Sequence, residues 1–213
     1  MKPRIALFIH DPEASRECAD AMIEVLSGEF QITTFNEEEF DYALKDSDIV
    51  AFGGGIGDAQ RYYDFFKRRE GNAIADFVSS GGKYLGICMG AYWAGRNYFD
   101  LLTDIEPTQY IKRPFADVKR SFATVAEVVW GDIETKMFFY DGCTFEGNGR
   151  AQLIARYYNG EPMAIIQGRI GLIGCHPESQ EKWYNKKYLK KHWHGGLHHD
   201  LLLSFTRKLI RTK

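Results

Sequence analysis

Runs of consecutive apolar residues recur along the chain and predict strands that are buried on both faces. A parallel sheet covered by helices on both sides requires apolar residues at successive positions, rather than strict alternation with polar ones. Six such runs occupy residues 4–9, 31–35, 49–53, 83–88, 162–167 and 170–175. We expect these strands to form the central sheet.

Helical periodicity occurs between the early strands and again at the end of the chain. Apolar residues spaced three or four apart predict helices over residues 14–26, 72–79 and 196–210. The last of these carries four apolar residues at intervals of four: Leu197, Leu201, Phe205 and Leu209. The alternation of strands and helices predicts an α/β fold with right-handed crossovers.

The stretch from residue 124 to residue 167 has a different pattern, in which glycine-containing turns separate short strand-like segments. Gly131, Gly142 and Gly160 mark these turns. Short segments joined by tight turns are typical of antiparallel hairpins, so we expect an inserted hairpin region here. No repeat or linker-like tract interrupts the chain, and we expect residues 1–213 to form one domain.

Composition and charge narrow the classes of function. The 213 residues are 45% hydrophobic and 26% charged, with a net charge of −2, a balance that favours neither nucleic acid nor membrane partners. No apolar run reaches the roughly 18 residues of a membrane span, and residues 5–9 are too few for a signal peptide. The four cysteines form no CxxC pair, so we expect reduced thiols and a cytoplasmic location.

One cysteine lies where the fourth predicted strand meets the start of a helix. The sequence there reads Gly86-Ile87-Cys88-Met89-Gly90, the Gly-x-nucleophile-x-Gly elbow with cysteine in place of serine. The flanking glycines permit a sharp turn, and the helix N-terminus favours the thiolate. A lone cysteine in an apolar strand is more often a core residue, but this context predicts that Cys88 is a nucleophile.

A second motif, His176-Pro177-Glu178, follows the last predicted strand. Residues i and i+2 at a strand end lean to the same side, and the carboxyl ends of parallel strands meet at one edge of the sheet. We therefore expect His176 to exchange protons with Cys88, and Glu178 to orient the imidazole. Alone, the tripeptide is equally compatible with a structural histidine before a turn proline.

A glycine-rich loop, Gly53-Gly54-Gly55, follows the third predicted strand. It lacks the Gly-Lys-Ser/Thr of a phosphate-binding loop and the spacing of a dinucleotide-binding loop, so no cofactor is predicted. We expect the backbone N–H of Gly54 or Gly55, together with that of Met89, to bind an oxyanion. Gly53 is expected to lie close to the substrate. The competing interpretation is a plain turn after a strand.

Four of the six histidines occur between residues 192 and 199. His194 and His198 have the spacing of a helical metal-binding pair, but Gly195 and Gly196 argue against a continuous helix between them. We expect a surface loop that can border the mouth of the active site, and no metal site is predicted.

Together these motifs resemble the class I glutamine amidotransferase-like superfamily, and more closely the domain at the N-terminus of many biotin–protein ligases. The matching segments are residues 53–55, 77–92, 140–146, 153–158 and 176–178. The resemblance implies a flavodoxin-like, doubly wound, mostly parallel sheet. It also implies a catalytic triad of Cys88, His176 and Glu178.

Two departures from the superfamily pattern bear on function. Its amidotransferases read Gly-x-Cys-x-Gly-x-Gln, whereas Tyr92 stands at the glutamine position and is expected to contact the substrate. Free glutamine is therefore disfavoured relative to another amide or a short peptide. We also expect no ligase or ammonia-accepting domain within these residues, which leaves a separate partner protein open.

These observations favour a cysteine-dependent enzyme that cleaves an amide bond through a thioester intermediate. A cysteine peptidase of the same superfamily would use the same groups. The alternative from a different class is a binding or regulatory module that keeps the fold and the pocket but has no turnover.

Overall fold

Strands and helices alternate along the first half of the chain, and strands predominate in the second. The computed structural model describes residues 2–10, 13–36, 38–55, 66 and 70–213. The helices are α1 (Glu13–Leu26), α2 (Phe40–Lys45), α3 (Glu70–Ser79), α4 (Met89–Trp93) and α5 (Leu197–Ile210). The strands are β1 (Arg4–Phe8), β2 (Gln31–Phe35), β3 (Ile49–Phe52), β4 (Lys83–Ile87), β5 (Ile105–Gln109), β6 (Thr124–Trp130), β7 (Ile133–Phe139), β8 (Cys143–Gly147), β9 (Gln152–Tyr157), β10 (Pro162–Gln167) and β11 (Ile170–Ile173).

Nine strands form one sheet in the order β2-β1-β3-β4-β11-β10-β9-β6-β7. The pairs from β2 to β11 are parallel, and the pairs from β11 to β7 are antiparallel. β5 and β8 form a separate antiparallel pair. The predicted α/β fold is confirmed, and most of the predicted hairpin region extends one edge of the main sheet.

The strands at the centre of the sheet are buried because helices cover both faces. In β1, Ile5 and Leu7 belong to the apolar cluster that includes residues of α1 and α5. Ala6 and Phe8 belong to the cluster on the opposite face, with residues of α2, α3 and α4. Successive side chains of a strand point to opposite faces, so covering both faces produces the continuous apolar runs of the sequence.

Two features differ from the sequence prediction. Burial on both faces was wrong for β2, where only Phe35 is buried, because β2 lies at the edge of the sheet. Four predicted strands end sooner: 4–9 ends at Phe8, 49–53 at Phe52, 83–88 at Ile87 and 170–175 at Ile173. Cys88 and His176 therefore lie just beyond the ends of two adjacent parallel strands.

The C-terminal helix packs against the sheet largely as its periodicity predicts. Leu201, Phe205 and Leu209 are buried, whereas Leu197 is 39% exposed at the first turn. None of the helices in the described ranges is both long enough and apolar enough to span a membrane.

Candidate active site

Cys88 lies at the turn between β4 and α4 with an unusual backbone conformation. Its dihedral angles are φ 50° and ψ −102°, which a non-glycine residue adopts only where the surrounding structure holds it. The Cys88 N–H donates to the Ile173 carbonyl at 2.8 Å. The Cys88 carbonyl accepts from the N–H groups of Ala91 and Tyr92 at 3.0 and 3.1 Å. The strained turn that the elbow motif predicts is therefore present.

The two glycines that flank the elbow are required by close approaches of the main chain. A Cβ atom on Gly86 would lie 2.5 Å from the carbonyl oxygen of Gly90. A Cβ atom on Gly90 would lie 2.1 Å from the carbonyl oxygen of Phe52. Because both obstacles are backbone atoms, no side-chain rotation can relieve them, and the glycine spacing reflects a steric requirement.

His176 and Glu178 form a buried hydrogen-bonded pair just past β11. The imidazole Nδ1 lies 2.8 Å from the carboxylate Oε1, and the two side chains are 4% and 0% exposed. Within the described ranges, the imidazole Nε2 and the carboxylate Oε2 have no hydrogen-bond partner. Nε2 is therefore the ring nitrogen left for a reacting group.

The charges around His176 favour its protonated form. Burial alone lowers the pKa of this imidazole, but the adjacent Cys88 and Glu178 outweigh burial and raise the pKa well above its ordinary value. A histidine that keeps its proton beside an ionisable thiol is the arrangement found in thiolate–imidazolium pairs.

The segment between β7 and β8 covers the Cys88 thiol. The Cys88 Sγ lies 3.6 Å from the carbonyl oxygen of Tyr140. The residue after Tyr140, Asp141, has a φ of 52°. The Tyr92 hydroxyl donates to the Asp141 carbonyl at 3.1 Å, and the Gln109 amide donates to the Asp141 carboxylate at 3.2 Å. Burial raises the pKa of Tyr92, so its hydroxyl remains a donor that ties α4 to this segment.

The glycine loop after β3 lies against both the elbow and the imidazole. The Gly53 carbonyl accepts from the Gly90 N–H at 3.2 Å. A Cβ atom on Gly54 would lie 2.4 Å from Cε1 of His176, so a larger residue would displace the ring. The loop therefore borders the histidine, which a plain turn at a strand end would not require.

The other two residues expected to bind an oxyanion have different surroundings. Gly55 faces α1, where a Cβ atom would lie 2.1 Å from the hydroxyl oxygen of Ser15. Met89 is the first residue of α4, so its N–H has no acceptor within the helix. Because Gly54 borders the imidazole and Gly55 borders α1, Gly54 is the better candidate of the two.

Cys18 also lies beside the imidazole. The apolar periodicity of α1 predicts only that this cysteine belongs to the buried face of the helix. Its thiol sulfur, a ring nitrogen of His176 and a carboxylate oxygen of Glu178 lie within 4.8 Å of one another. Burial raises the pKa of the Cys18 thiol, which favours its protonated form. No sequence motif marks this residue, because the contact joins α1 to a segment more than a hundred residues away.

The histidine-rich segment packs behind the turn that carries Glu178. The Nε2 atoms of His194 and His199 lie 3.1 and 3.0 Å from the carbonyl oxygen of Ser179, the residue after Glu178. Ser179 is fully buried, so its carbonyl needs partners within the protein. The two imidazoles provide them and hold the turn that carries the carboxylate.

A third histidine of this segment is buried beneath the other two. The ring centroids of His198 and His194 are 4.1 Å apart, and Nε2 of His198 lies 2.8 Å from the Thr135 hydroxyl. The predicted surface loop is wrong for His198, which has no exposed area. The reason is that His198 lies in the first turn of α5, on the side of the helix that contacts Thr135 of β7. These contacts use His194 and His198 as packing and hydrogen-bonding groups.

The sequence matches one family model and no curated protein. Residues 10–102 match the model described as "Biotin-protein ligase, N terminal". This range contains the glycine loop, the elbow and Cys88, and it ends before His176. A search of curated proteins finds no match.

Solved structures resemble the whole chain. A glutamine amidotransferase from Thermotoga maritima covers 100% of both chains with a TM-score of 0.73 and 14% identity. A glutamine amidotransferase from Methylobacillus flagellatus covers 99% of this chain and 93% of its own, with a TM-score of 0.58 and 13% identity. An α-L-fucosidase from Paenibacillus thiaminolyticus matches 98% of this chain over 33% of its own length, with a TM-score of 0.60 and 12% identity.

Identities this low establish the fold and leave the chemistry to the site, and the fucosidase illustrates why. The chain has the fold of the class I glutamine amidotransferases, and its first half resembles the N-terminal region of biotin–protein ligases.

Proposed function

We propose that the protein is a cysteine-dependent enzyme that cleaves the C–N bond of an amide, with Cys88 as nucleophile, His176 as acid and base, and Glu178 orienting His176. The observation that carries this proposal is the strained backbone of Cys88, with φ 50°, beside a buried histidine–carboxylate pair. Strain of this kind costs on the order of 1–3 kcal/mol, and a cysteine with only a packing role would not require it.

The first half of the proposed reaction forms a thioester. The Cys88 thiolate attacks the carbonyl carbon of the amide, and the C=O electron pair moves onto the oxygen. The N–H groups of Met89 and Gly54 are the proposed donors to this oxyanion. The protonated His176 gives its proton to the amide nitrogen, the C–N bond breaks, and ammonia or an amine leaves.

The second half hydrolyses the thioester. The neutral His176 takes a proton from water, and the hydroxide attacks the acyl carbon. The C–S bond then breaks, which releases a carboxylic acid and returns the Cys88 thiolate. Glu178 accepts a hydrogen bond from the Nδ1–H throughout, at 2.8 Å in the structure, so that Nε2 faces the reacting atoms.

The proposed substrate is an amide other than free glutamine, such as another small amide or a short peptide. Tyr92 lies one helical turn after Cys88, and its hydroxyl already donates to the Asp141 carbonyl. At the position where the superfamily carries glutamine, this side chain is larger, and it is engaged with the wall of the site. Tyr92 therefore supports a different substrate contact.

The first test measures the reactivity of the four cysteines with iodoacetamide at about pH 7, by mass spectrometry of each peptide. An ordinary thiol is only a few per cent ionised at this pH. We therefore expect Cys88 in the folded protein to react at least about 10-fold faster than in the urea-unfolded chain. His176→Ala should abolish the difference, and the other three cysteines, all buried, should be protected by folding.

The second test measures turnover on a panel of amides that includes glutamine, other small carboxamides and short peptides. Ammonia or amine release should depend on Cys88, and hydroxylamine should trap the acyl group as a hydroxamate. If Cys88 in the folded protein reacts with iodoacetamide no faster than in the unfolded chain, and no amide is cleaved, the proposal is wrong.

A binding module without turnover is the second candidate, favoured by the cover over the thiol. The Cys88 side chain is 6% exposed, and its sulfur lies against the Tyr140 carbonyl. A module of this kind would be stabilised equally by its ligand with or without the thiol. Equal ligand-induced shifts in Tm for wild type and Cys88→Ala, without product formation, would establish this alternative.

A further inference from the structure

We propose that Cys18, His176 and Glu178 form a binding site for Zn²⁺, at which the metal competes with the proposed thiol chemistry. One donor atom from each residue lies within 4.8 Å of the other two. Thiolate, imidazole and carboxylate are the three donor types that Zn²⁺ binds in proteins. The inference that zinc inhibits rests on the proposed function, whereas the inference that zinc binds does not.

The distances suit a tetrahedral ion after small adjustments. Zinc bonds of about 2.0–2.3 Å place tetrahedral donors roughly 3.3–3.7 Å apart. The His176 and Glu178 donors, now 2.8 Å apart, would separate by about half an ångström as the metal replaces their hydrogen bond. The thiol of Cys18 would move inward by up to roughly 1 Å from the 4.8 Å limit.

Unsatisfied atoms in the cluster supply a second, independent observation. Glu178 Oε2 and His176 Nε2 are buried without a hydrogen-bond partner among the described residues. The three side chains are each at least nine-tenths buried: Cys18 is 7% exposed, His176 is 4% and Glu178 is 0%. A buried polar atom without a partner is costly, and a metal ion bound by the Glu178 carboxylate could satisfy its unpaired Oε2.

Charge also favours a divalent cation here. A Cys18 thiolate and the Glu178 carboxylate carry two negative charges, which one Zn²⁺ neutralises while His176 remains neutral as a ligand. Buried charges are tolerated when they are paired or when they coordinate a metal. With three protein ligands, one coordination position stays open.

Zinc in this position would hold the imidazole and the carboxylate away from proton transfer. With Nδ1 bound to the metal, the neutral imidazole carries its proton on Nε2 and cannot accept another from Cys88, and the Glu178 hydrogen bond that orients the ring is lost. Zinc binding and nucleophilic activity at Cys88 are then mutually exclusive states of one site. Cys18 supplies a thiolate, a soft ligand that favours Zn²⁺ over hard cations such as Mg²⁺ and Ca²⁺.

The test uses the full chain, with Co²⁺ as a spectroscopic probe and Zn²⁺ in calorimetry. We expect one Zn²⁺ per chain and a sulfur-to-cobalt charge-transfer band that persists in Cys88→Ala. Cys18→Ala should lose the band and weaken zinc binding at least ~100-fold, more than the loss of an outer-shell partner. Cys143→Ala, which removes another buried thiol, should retain the affinity within about 3-fold.

Other outcomes would overturn the inference. If Cys88→Ala abolishes the cobalt band, the metal is bound by the proposed nucleophile and not by Cys18. If the wild-type chain binds no zinc, the site does not exist. Because the band is read in Cys88→Ala, a failure of Cys18→Ala to fold does not remove the test. Zinc should also slow alkylation of Cys88 in wild type, and an unreactive Cys88 that still binds zinc would contradict the proposed function alone.

Discussion

At the scale of single residues, the proposed activation of Cys88 depends on the contact between His176 and Glu178. The carboxylate has no exposed area and bonds the imidazole at 2.8 Å, so its charge acts on the ring with little screening. The same charge is one of the causes that raise the pKa of His176. Removing the charge while keeping the shape of the side chain isolates this effect.

Glu178→Gln should slow alkylation of Cys88 at about pH 7 by roughly 10–100-fold, since it removes one of the charges that raise the pKa of His176. Glutamine can still accept the Nδ1–H, so the ring need not move. Stopped-flow alkylation gives the rate, and Glu181→Gln changes an exposed carboxylate nearby as the control. Equal rates for the two variants would show that Glu178 has no electrostatic role.

Gly54 tests the position of the imidazole from the opposite side. A methyl group in Gly54→Ala would lie 2.4 Å from Cε1 of His176, so the ring must move away. We expect Cys88 reactivity to fall at least about 10-fold, because misplacement of a reacting group by 1 Å costs up to ~100-fold. Gly28→Ala is the matched control, since its added methyl group meets nothing within 4 Å. Unchanged reactivity in Gly54→Ala would place the loop outside the site.

At the scale of secondary structure elements, adjacent parallel strands bring the site together. β4 and β11 pair directly, and Cys88 and His176 lie just past their carboxyl ends. β3, on the other side of β4, ends at the glycine loop. Three neighbouring strand ends therefore deliver three parts of one site, although their residues are far apart along the chain.

The junction of β3, β4 and α4 depends on the absence of a side chain at Gly90. In Gly90→Ala, the added methyl group would lie 2.1 Å from the Phe52 carbonyl oxygen, so α4 or β3 must shift. We expect the free energy of unfolding in urea to fall by about 3 kcal/mol, the upper end of ordinary substitutions. A loss no larger than that of Gly28→Ala would mean that the elbow tolerates a wider turn.

At the scale of the whole molecule, the C-terminal histidines connect α5 to the turn that carries Glu178. Burial lowers the pKa of His194 to about 4 and that of His198 to about 3. Nδ1 of His194 accepts from the N–H groups of Gly196 and His198 at 3.1 and 3.3 Å, so the neutral ring carries its proton on Nε2. Protonation would destroy this acceptor and place charge among packed rings.

Stability should therefore fall as the pH is lowered from about 6.5 to 5. The unfolded chain takes up protons near pH 6.5, whereas the folded protein resists until about pH 4 or below. Each such histidine lowers the free energy of unfolding by at most ~1.4 kcal/mol per pH unit in this range. His194→Gln keeps a donor for the Ser179 carbonyl and removes the titration, so urea unfolding should show a shallower slope. An unchanged slope would show that His194 does not contribute to the pH dependence of stability.

Much of the site can be predicted from local sequence patterns. Gly86, Cys88 and Gly90 predict the elbow, because a side chain at either glycine would clash with neighbouring backbone atoms. The central strands follow from continuous apolar runs, since both faces of the sheet are covered. The same reasoning fails at β2, because a run of residues does not reveal whether its strand lies at the centre or at the edge.

Other contacts depend on where distant segments meet. Cys18 lies beside His176 and Glu178, Tyr140 covers the Cys88 thiol, and His194 holds the turn after Glu178. No motif predicts these contacts, because each one joins elements that are neighbours only after the sheet has formed. Local propensity and periodicity determine the elements and the elbow that carries Cys88. Which side chains surround Cys88 is decided by the packing of α1, α5 and the β7–β8 segment around the sheet.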